Sequence, residues 1–340
     1  METQIKLPIE TENPLFGRYL YPTAKDILEQ QQDKFWTAQE IPVEKDVHDY
    51  RQNLSAAQLN LATITLQIFV EIEQKVGDVW EEIAHWYPHS EIEGCCTQIA
   101  AMEKSVHAFF YQKMSDVMNI DPEETAKNQQ TINVLKNKLQ FLQQITTSLA
   151  EDKMLSLATV ALIEQVLLFS NFAMLKSFRS NGNNFISNTV TGVDFVIFDE
   201  QKHGEFATYL YNTHKSEHER YVGKLPDTHF DNILTLVHEI IAHEDAMIDY
   251  SFAGESSING ITADQLKTFI RSRANTVLEM FQYEPIFEID SNPIADWFYK
   301  GSKSIKVHDF FAGVTNQYRR GWSTDNFSRI PYTQEVSDEH

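Results

Sequence analysis

Residues 100–114 read AAMEKSVHAFFYQKM, a helical run in which Glu103, Lys104 and His107 interrupt apolar and aromatic side chains. A helix turns about 100° per residue, so side chains three or four apart share a face. Glu103 and His107 therefore align at i and i+4, and Tyr111 follows on the same face one turn further on. The spacing alone carries little. Glu82/His85, Glu44/His48 and Glu239/His243 match it as well, but they lie among polar neighbours and read as solvated faces. The segment from His238 to His243 is also one residue too long for a zinc-protease HExxH motif.

Surroundings separate two matches from the others. In FVIFDEQKHGEFA (195–207), Glu200 and His203 share one face of an aromatic-rich helix, as Glu103 and His107 do in the opening stretch. Two lone glutamates need the same explanation: Glu164 inside VALIEQVLLF (160–169), and Glu73 directly after TITLQIFVEI (63–72). An isolated carboxylate in such a helix costs several kcal/mol unless it is paired, protonated or bound to a cation. Basic residues near these positions are scarce. The order along the chain is then a lone Glu, a Glu/His helix, a lone Glu and a Glu/His helix. That is the pattern of four-helix bundles holding two iron or manganese ions. Four carboxylates and two imidazoles suit two divalent first-row metals that react with oxygen.

Composition agrees with a helical bundle. The 340 residues include 22 Phe and 13 Tyr, enough for a sizeable core, but only 12 Gly and 10 Pro. The formal charge of −21 argues against a nucleic-acid backbone as partner. The only cysteines, Cys95 and Cys96, are adjacent and make no disulfide framework, which fits a reducing cytoplasm. METQIKLPIETENPLF at the start lacks the basic and apolar regions of a secretion signal, so no export is expected. The apolar stretch 154–175 is long enough to be weighed as a membrane span. Glu164, Gln165 and Asn171 inside it favour a buried core helix.

The expected organisation is an extended N-terminal arm over 1–24, an all-α bundle over 25–322 and a polar, acidic tail over 323–340. Helices are expected from Thr23, after a cap at Asn53–Ser55, over Ser90–Asn119, after Asp121-Pro122 as one polar helix to about 145, around Glu164, over 188–217, around 227–250 and around 263–282. RSNGNN (179–184) reads as a turn.

With these residues assembled, the chain resembles the small, radical-generating subunit of class I ribonucleotide reductases, within the ferritin-like di-metal superfamily. Tyr21-Pro-Thr-Ala-Lys-Asp, Lys34-Phe-Trp36-Thr-Ala-Gln-Glu40-Ile, Asn292-Pro-Ile with Trp297, and Asp309-Phe-Phe-Ala-Gly313-Val-Thr-Asn316 are similar to that family's signatures. The resemblance implies metal ligands at Glu73, His107, Glu164, Glu200 and His203, with iron or manganese activated by oxygen or a related oxidant. It implies a radical at Tyr111, with Trp36 and Asp199 joining His107 in a relay. It further implies a homodimer, and a tail that docks on the catalytic large subunit with Tyr332 as a surface relay. One position departs from the pattern. The family places Glu three residues before the first ligand histidine, where this chain has Lys104. Either Glu103 supplies the ligand through i+4 geometry or a π-bulge, or Lys104 points inward, neutralises a carboxylate and weakens one metal site. Rival readings are a di-metal oxidase of a small molecule or lipid, an iron-storage cage, and a helical scaffold without catalysis.

Overall fold

Local signals in the sequence set where most helices begin and end. In the computed structural model, which describes residues 6–13, 17–148 and 152–304, Pro22 opens helix α1 (Pro22–Asp33). Proline lacks the N–H that a first helical turn leaves unused. The expected arm therefore ends at Tyr21, and it is not wholly extended, because Pro8–Glu10 form a 3₁₀ turn. Ser55 caps α2 (Ala56–Ala84) by a reciprocal pair: its hydroxyl accepts from the Gln58 N–H at 3.2 Å, and the Gln58 side chain accepts from its N–H at 2.8 Å.

The expected helix over Ser90–Asn119 forms, but in three pieces: α3 (Ser90–Met102), a π turn (Glu103–His107) and α4 (Ala108–Met118). It stops at Asn119, whose φ of 57° is left-handed. Asp121 accepts from the Glu123 N–H at 2.9 Å and Pro122 follows, which starts α5 (Pro122–Thr131). The expected single polar helix beyond it is two, because Ile132 adopts an extended conformation and α6 (Asn133–Ser148) begins after it. The apolar segment forms α7 (Lys153–Leu162), a second π turn (Ile163–Leu167) and α8 (Phe169–Lys176). Then come α9 (Ser187–Tyr221), α10 (Asp227–Phe252), α11 (Ala263–Met280) and α12 (Pro293–Ser304). Among the described residues no strand forms; Ile258 and Ile261 make one isolated bridge.

The chain divides into two units, Met1–Phe298 and Tyr299–His340. The second is described only over 299–304. The expected boundary at 322, the tail and Tyr332 lie outside the described residues. In the first unit α2, α3 with α4, α7 with α8, and α9 pack against one another, α1 lies on α3 and α9, and α10 and α11 cover the π turn of the apolar segment. Lys153–Arg179 is long and apolar enough to cross a membrane, yet its most apolar 18-residue stretch is entirely buried in the protein. Its phenylalanines Phe169, Phe172 and Phe178 are fully buried. Each contributes about 1.5–3 kcal/mol of hydrophobic stabilisation by leaving water, so this helix is the core around which the others assemble.

Candidate metal centre

Six side chains from the four central helices meet in this core: Glu73 from α2, Glu103 and His107 from the ends of the first π turn, Glu164 from the second, and Glu200 and His203 from α9. All six are fully buried. They form two groups of potential ligand atoms, each within 4.8 Å: Glu73, Glu103, His107 and Glu200, and Glu103, Glu164, Glu200 and His203. Glu103 and Glu200 belong to both groups. His107 Nδ1 lies 3.2 Å from Glu103, 3.3 Å from Glu200 and 3.7 Å from Glu73. His203 Nδ1 lies 2.7 Å from Glu103 and 3.1 Å from Glu200.

The π turn decides which residue faces this centre. A π turn contains one residue more than an α turn, which rotates the helix phase by about 100° on one side of it. Glu103 thereby comes onto the inward face with His107, and Lys104 turns outward. The Lys104 ammonium pairs with Asp78 at 2.5 Å and Glu81 at 2.8 Å on α2. Its stem crosses Gly77, where a Cβ would sit only 2.6 Å from Lys104 Cγ. The inward-lysine alternative is not the arrangement observed.

The donor set fits a pair of cations. Both oxygens of Glu73, one oxygen of Glu164 and His203 Nε2 are buried without a hydrogen-bond partner. Burial, with the charges of Glu103 and Glu200, pushes the Glu73 and Glu164 carboxyls well above the usual carboxylate range. Burial also opposes charge on Glu103 and Glu200, but the two histidines outweigh it and hold both carboxyls below that range. Burial disfavours charged imidazoles too, yet the carboxylates raise His107 well above its ordinary value and His203 to about 9. Protons thus occupy the place of cations among these groups, and two dications would displace them.

That proton set predicts how stability depends on pH. Glu73, Glu164, His107 and His203 hold protons in the folded, metal-free chain that the unfolded chain releases at ordinary values of 4.5 and 6.5. Their stabilisation is present below those values and is lost as pH rises through the folded ones. The lowered Glu103 and Glu200 act oppositely, only as pH falls below about 4.5. Between pH 6.5 and about 9, His203 alone shifts stability by on the order of 3 kcal/mol. Melting temperature of the metal-free protein is therefore expected to fall from pH 6 to 9, while a manganese-loaded sample holds steady or rises. A flat metal-free profile contradicts the assignment.

Trp36, Asp199 and His107 are joined as well. The Trp36 indole N–H donates to Asp199 Oδ2 at 2.7 Å, and His107 Nε2 lies 3.1 Å from the same oxygen. Tyr111 is fully buried, stacks on Phe69 with ring centroids 4.3 Å apart, and its hydroxyl has no hydrogen-bond partner. The three Glu/His pairs set aside from the sequence stay outside the core: Glu44, His48, Glu82, His85 and Glu239 are exposed and His243 is partly so. Sequence reading missed Trp80, whose indole N–H donates to Glu164 at 2.6 Å. It also missed Arg273, which reaches the second π turn. The polar Gln165 beside Glu164 was a legible signal; nothing around Arg273 or Trp80 marks them.

Fold and site together define a ferritin-like helical bundle with a buried carboxylate and imidazole centre of the kind that holds two metal ions. Comparison with known proteins narrows this. Residues 16–293 match the family described as "Ribonucleotide reductase, small chain", and the chain belongs to that family. It is 24% identical to the "Probable ribonucleoside-diphosphate reductase small subunit 048L" of Invertebrate iridescent virus 3, over 95% of this chain and 88% of the relative. It is also 24% identical to the ribonucleoside-diphosphate reductase subunit beta of Treponema pallidum, over 90% and 87%. In fold it is similar to the dimanganese(II)-NrdF of Streptococcus sanguinis (TM-score 0.68, 20% identity, 84% of this chain and 98% of that one). The R2 subunit from Clostridium botulinum is similar too (TM-score 0.73, 16% identity, 84% and 90%).

Proposed function

We propose that the chain is the subunit that makes and keeps the radical for ribonucleoside-diphosphate reduction, with Tyr111 as the radical site and Glu73, Glu103, His107, Glu164, Glu200 and His203 as ligands of two iron or manganese ions. The observation that carries this reading is the pair of four-residue groups sharing Glu103 and Glu200, with Tyr111 one turn beyond His107. When bound, the metals supply the oxidising power, after meeting oxygen or a related oxidant.

The chain's own residues do the remainder. Buried apolar side chains exclude water from the Tyr111 hydroxyl. Burial, then the charge of Glu73, raises the phenol well above its ordinary value and keeps its proton in place at rest. Loss of an electron from Tyr111 then requires loss of the Oη proton as well. Asp199 Oδ2 holds the Trp36 N–H and faces His107 Nε2, so a proton and an electron can move along one hydrogen-bonded line. Trp36 is 2% exposed and is enclosed by His107, Phe110 and Phe195, which shields this line from water.

The partner is the catalytic large subunit, docked through the tail that carries Tyr332, and the working small subunit is a homodimer in the cytoplasm. The test mixes the metal-loaded chain with its large subunit and follows ribonucleoside diphosphate reduction. Trp36→Phe and Asp199→Asn are expected to bind metal and form the radical normally while turnover drops by about 100-fold or more, the scale of a lost proton-transfer partner. Full turnover in both variants removes the relay, and absence of reduction by the wild-type mixture removes the assignment.

A further inference from the structure

Helix α11 touches the candidate metal centre only through intermediaries, yet it carries a nearly fully buried arginine aimed at the second π turn. Arg273 is 5% exposed. Its Nε donates to the Gln165 backbone carbonyl at 2.8 Å, and its Nη2 donates to the Gln165 side-chain oxygen. Widening a helix turn disturbs the regular pairing of its carbonyls, and a buried carbonyl needs a donor. Arg273 supplies one at Gln165. Lys138, itself paired with Glu244 at 2.6 Å, supplies another at the Leu167 carbonyl, 2.9 Å away.

The Gln165 contact reaches further than the turn itself. With its oxygen held by Arg273, the Gln165 amide must present its NH₂ to the other side. There Nε2 donates to the Glu200 and Gln201 carbonyls of α9, at 3.2 and 2.9 Å. The amide occupies the space above Gly204, where any Cβ would lie 2.2 Å from Nε2. Glu164 and Glu200, from two different helices, are thus fastened by their immediate backbone to one side chain, whose orientation a third helix fixes.

We propose that Arg273 is a positioning residue for the group formed by Glu103, Glu164, Glu200 and His203, acting through Gln165, and that it sets the affinity of that one of the two metal positions. This rests on the reading of Glu164 and Glu200 as ligands. The group of Glu73, Glu103, His107 and Glu200 shares only Glu200 with the Gln165 bridge and depends on it less. Losing a partner that orients metal ligands costs about 10–100-fold in affinity.

The test titrates the metal-free, full-length chain with Mn(II) alone, by calorimetry and by electron paramagnetic resonance of free and exchange-coupled manganese. Melting of the metal-free form is recorded alongside. Wild type is expected to take two ions and give the coupled signal. Arg273→Met and Gln165→Met are expected to keep one ion at near-normal affinity, bind the other about 10–100-fold more weakly and lose the coupled signal at limiting manganese. Arg273→Lys, which can reach only one of the two Gln165 acceptors, is expected to fall between. Two unchanged affinities in folded Arg273→Met and Gln165→Met overturn the positioning role. Metal-free forms of both variants that do not fold overturn it too, since the pair then supports the core and not the site. Fewer than two ions in wild type overturn the ligand reading itself and this proposal with it, an outcome distinct from the others.

Discussion

Glu103→Ala is expected to empty the centre, lowering bound manganese or iron from two ions per chain to fewer than one. Glu103 lies in both four-residue groups, so its loss takes a carboxylate from each position at once. It also leaves His203 Nδ1 without its 2.7 Å partner. Elemental analysis of the purified, reconstituted chain reads the result directly. Lys104→Met is the informative control. Although Lys104 stands where the resemblance leads one to expect a glutamate, its ammonium pairs with Asp78 and Glu81 at the surface. Such exposed pairs contribute about 0–1 kcal/mol. Two ions are expected to remain, with little change in melting temperature. Retention of both metals by Glu103→Ala, or their loss from Lys104→Met, reverses the assignment of the two residues.

Tyr111→Phe carries the second large effect: complete loss of a tyrosyl radical signal, with metal content unchanged. The substitution removes one hydroxyl that has no hydrogen-bond partner and leaves the ring free to stack on Phe69. Neither the fold nor the ligands depend on that oxygen. Electron paramagnetic resonance after activation with oxygen, beside metal analysis of the same sample, separates the outcomes. A persisting tyrosyl signal transfers the radical to another of the chain's tyrosines. A loss of metal together with the signal makes Tyr111 part of the support of the site.

Most of the architecture could be read from the chain because its information is local. The Ser55/Gln58 pair, Asp121-Pro122 and the apolar run around Glu164 each fix an element by interactions within a few residues. Where the reading failed, the cause was also specific. Ile132 carries no turn chemistry, yet it breaks what reads as one helix, because α5 and α6 each lean on α2. Four of the six centre residues stood out as acids in apolar helices. The choice between Glu103 and Lys104 was not legible, because it is made across the bundle: Gly77 leaves room for the lysine stem, and Asp78 and Glu81 draw its charge outward. Arg273 was invisible for a related reason. Its partner is a backbone carbonyl, which every residue has and no sequence pattern marks.

The extra residue in the turn from Glu103 to His107 makes the centre sensitive to gain or loss of a single codon. Residues before and after it keep separate helical counts, like two gear wheels meshed one tooth out of step. Removing a single codon there would restore one count and bring Glu103 to the third position before the histidine. Restoring the α count by shifting the frame upstream would instead swing the lysine inward. A one-residue slip of the helix thus separates a centre lined by four acids from one that contains a cation, with no substitution at any ligand.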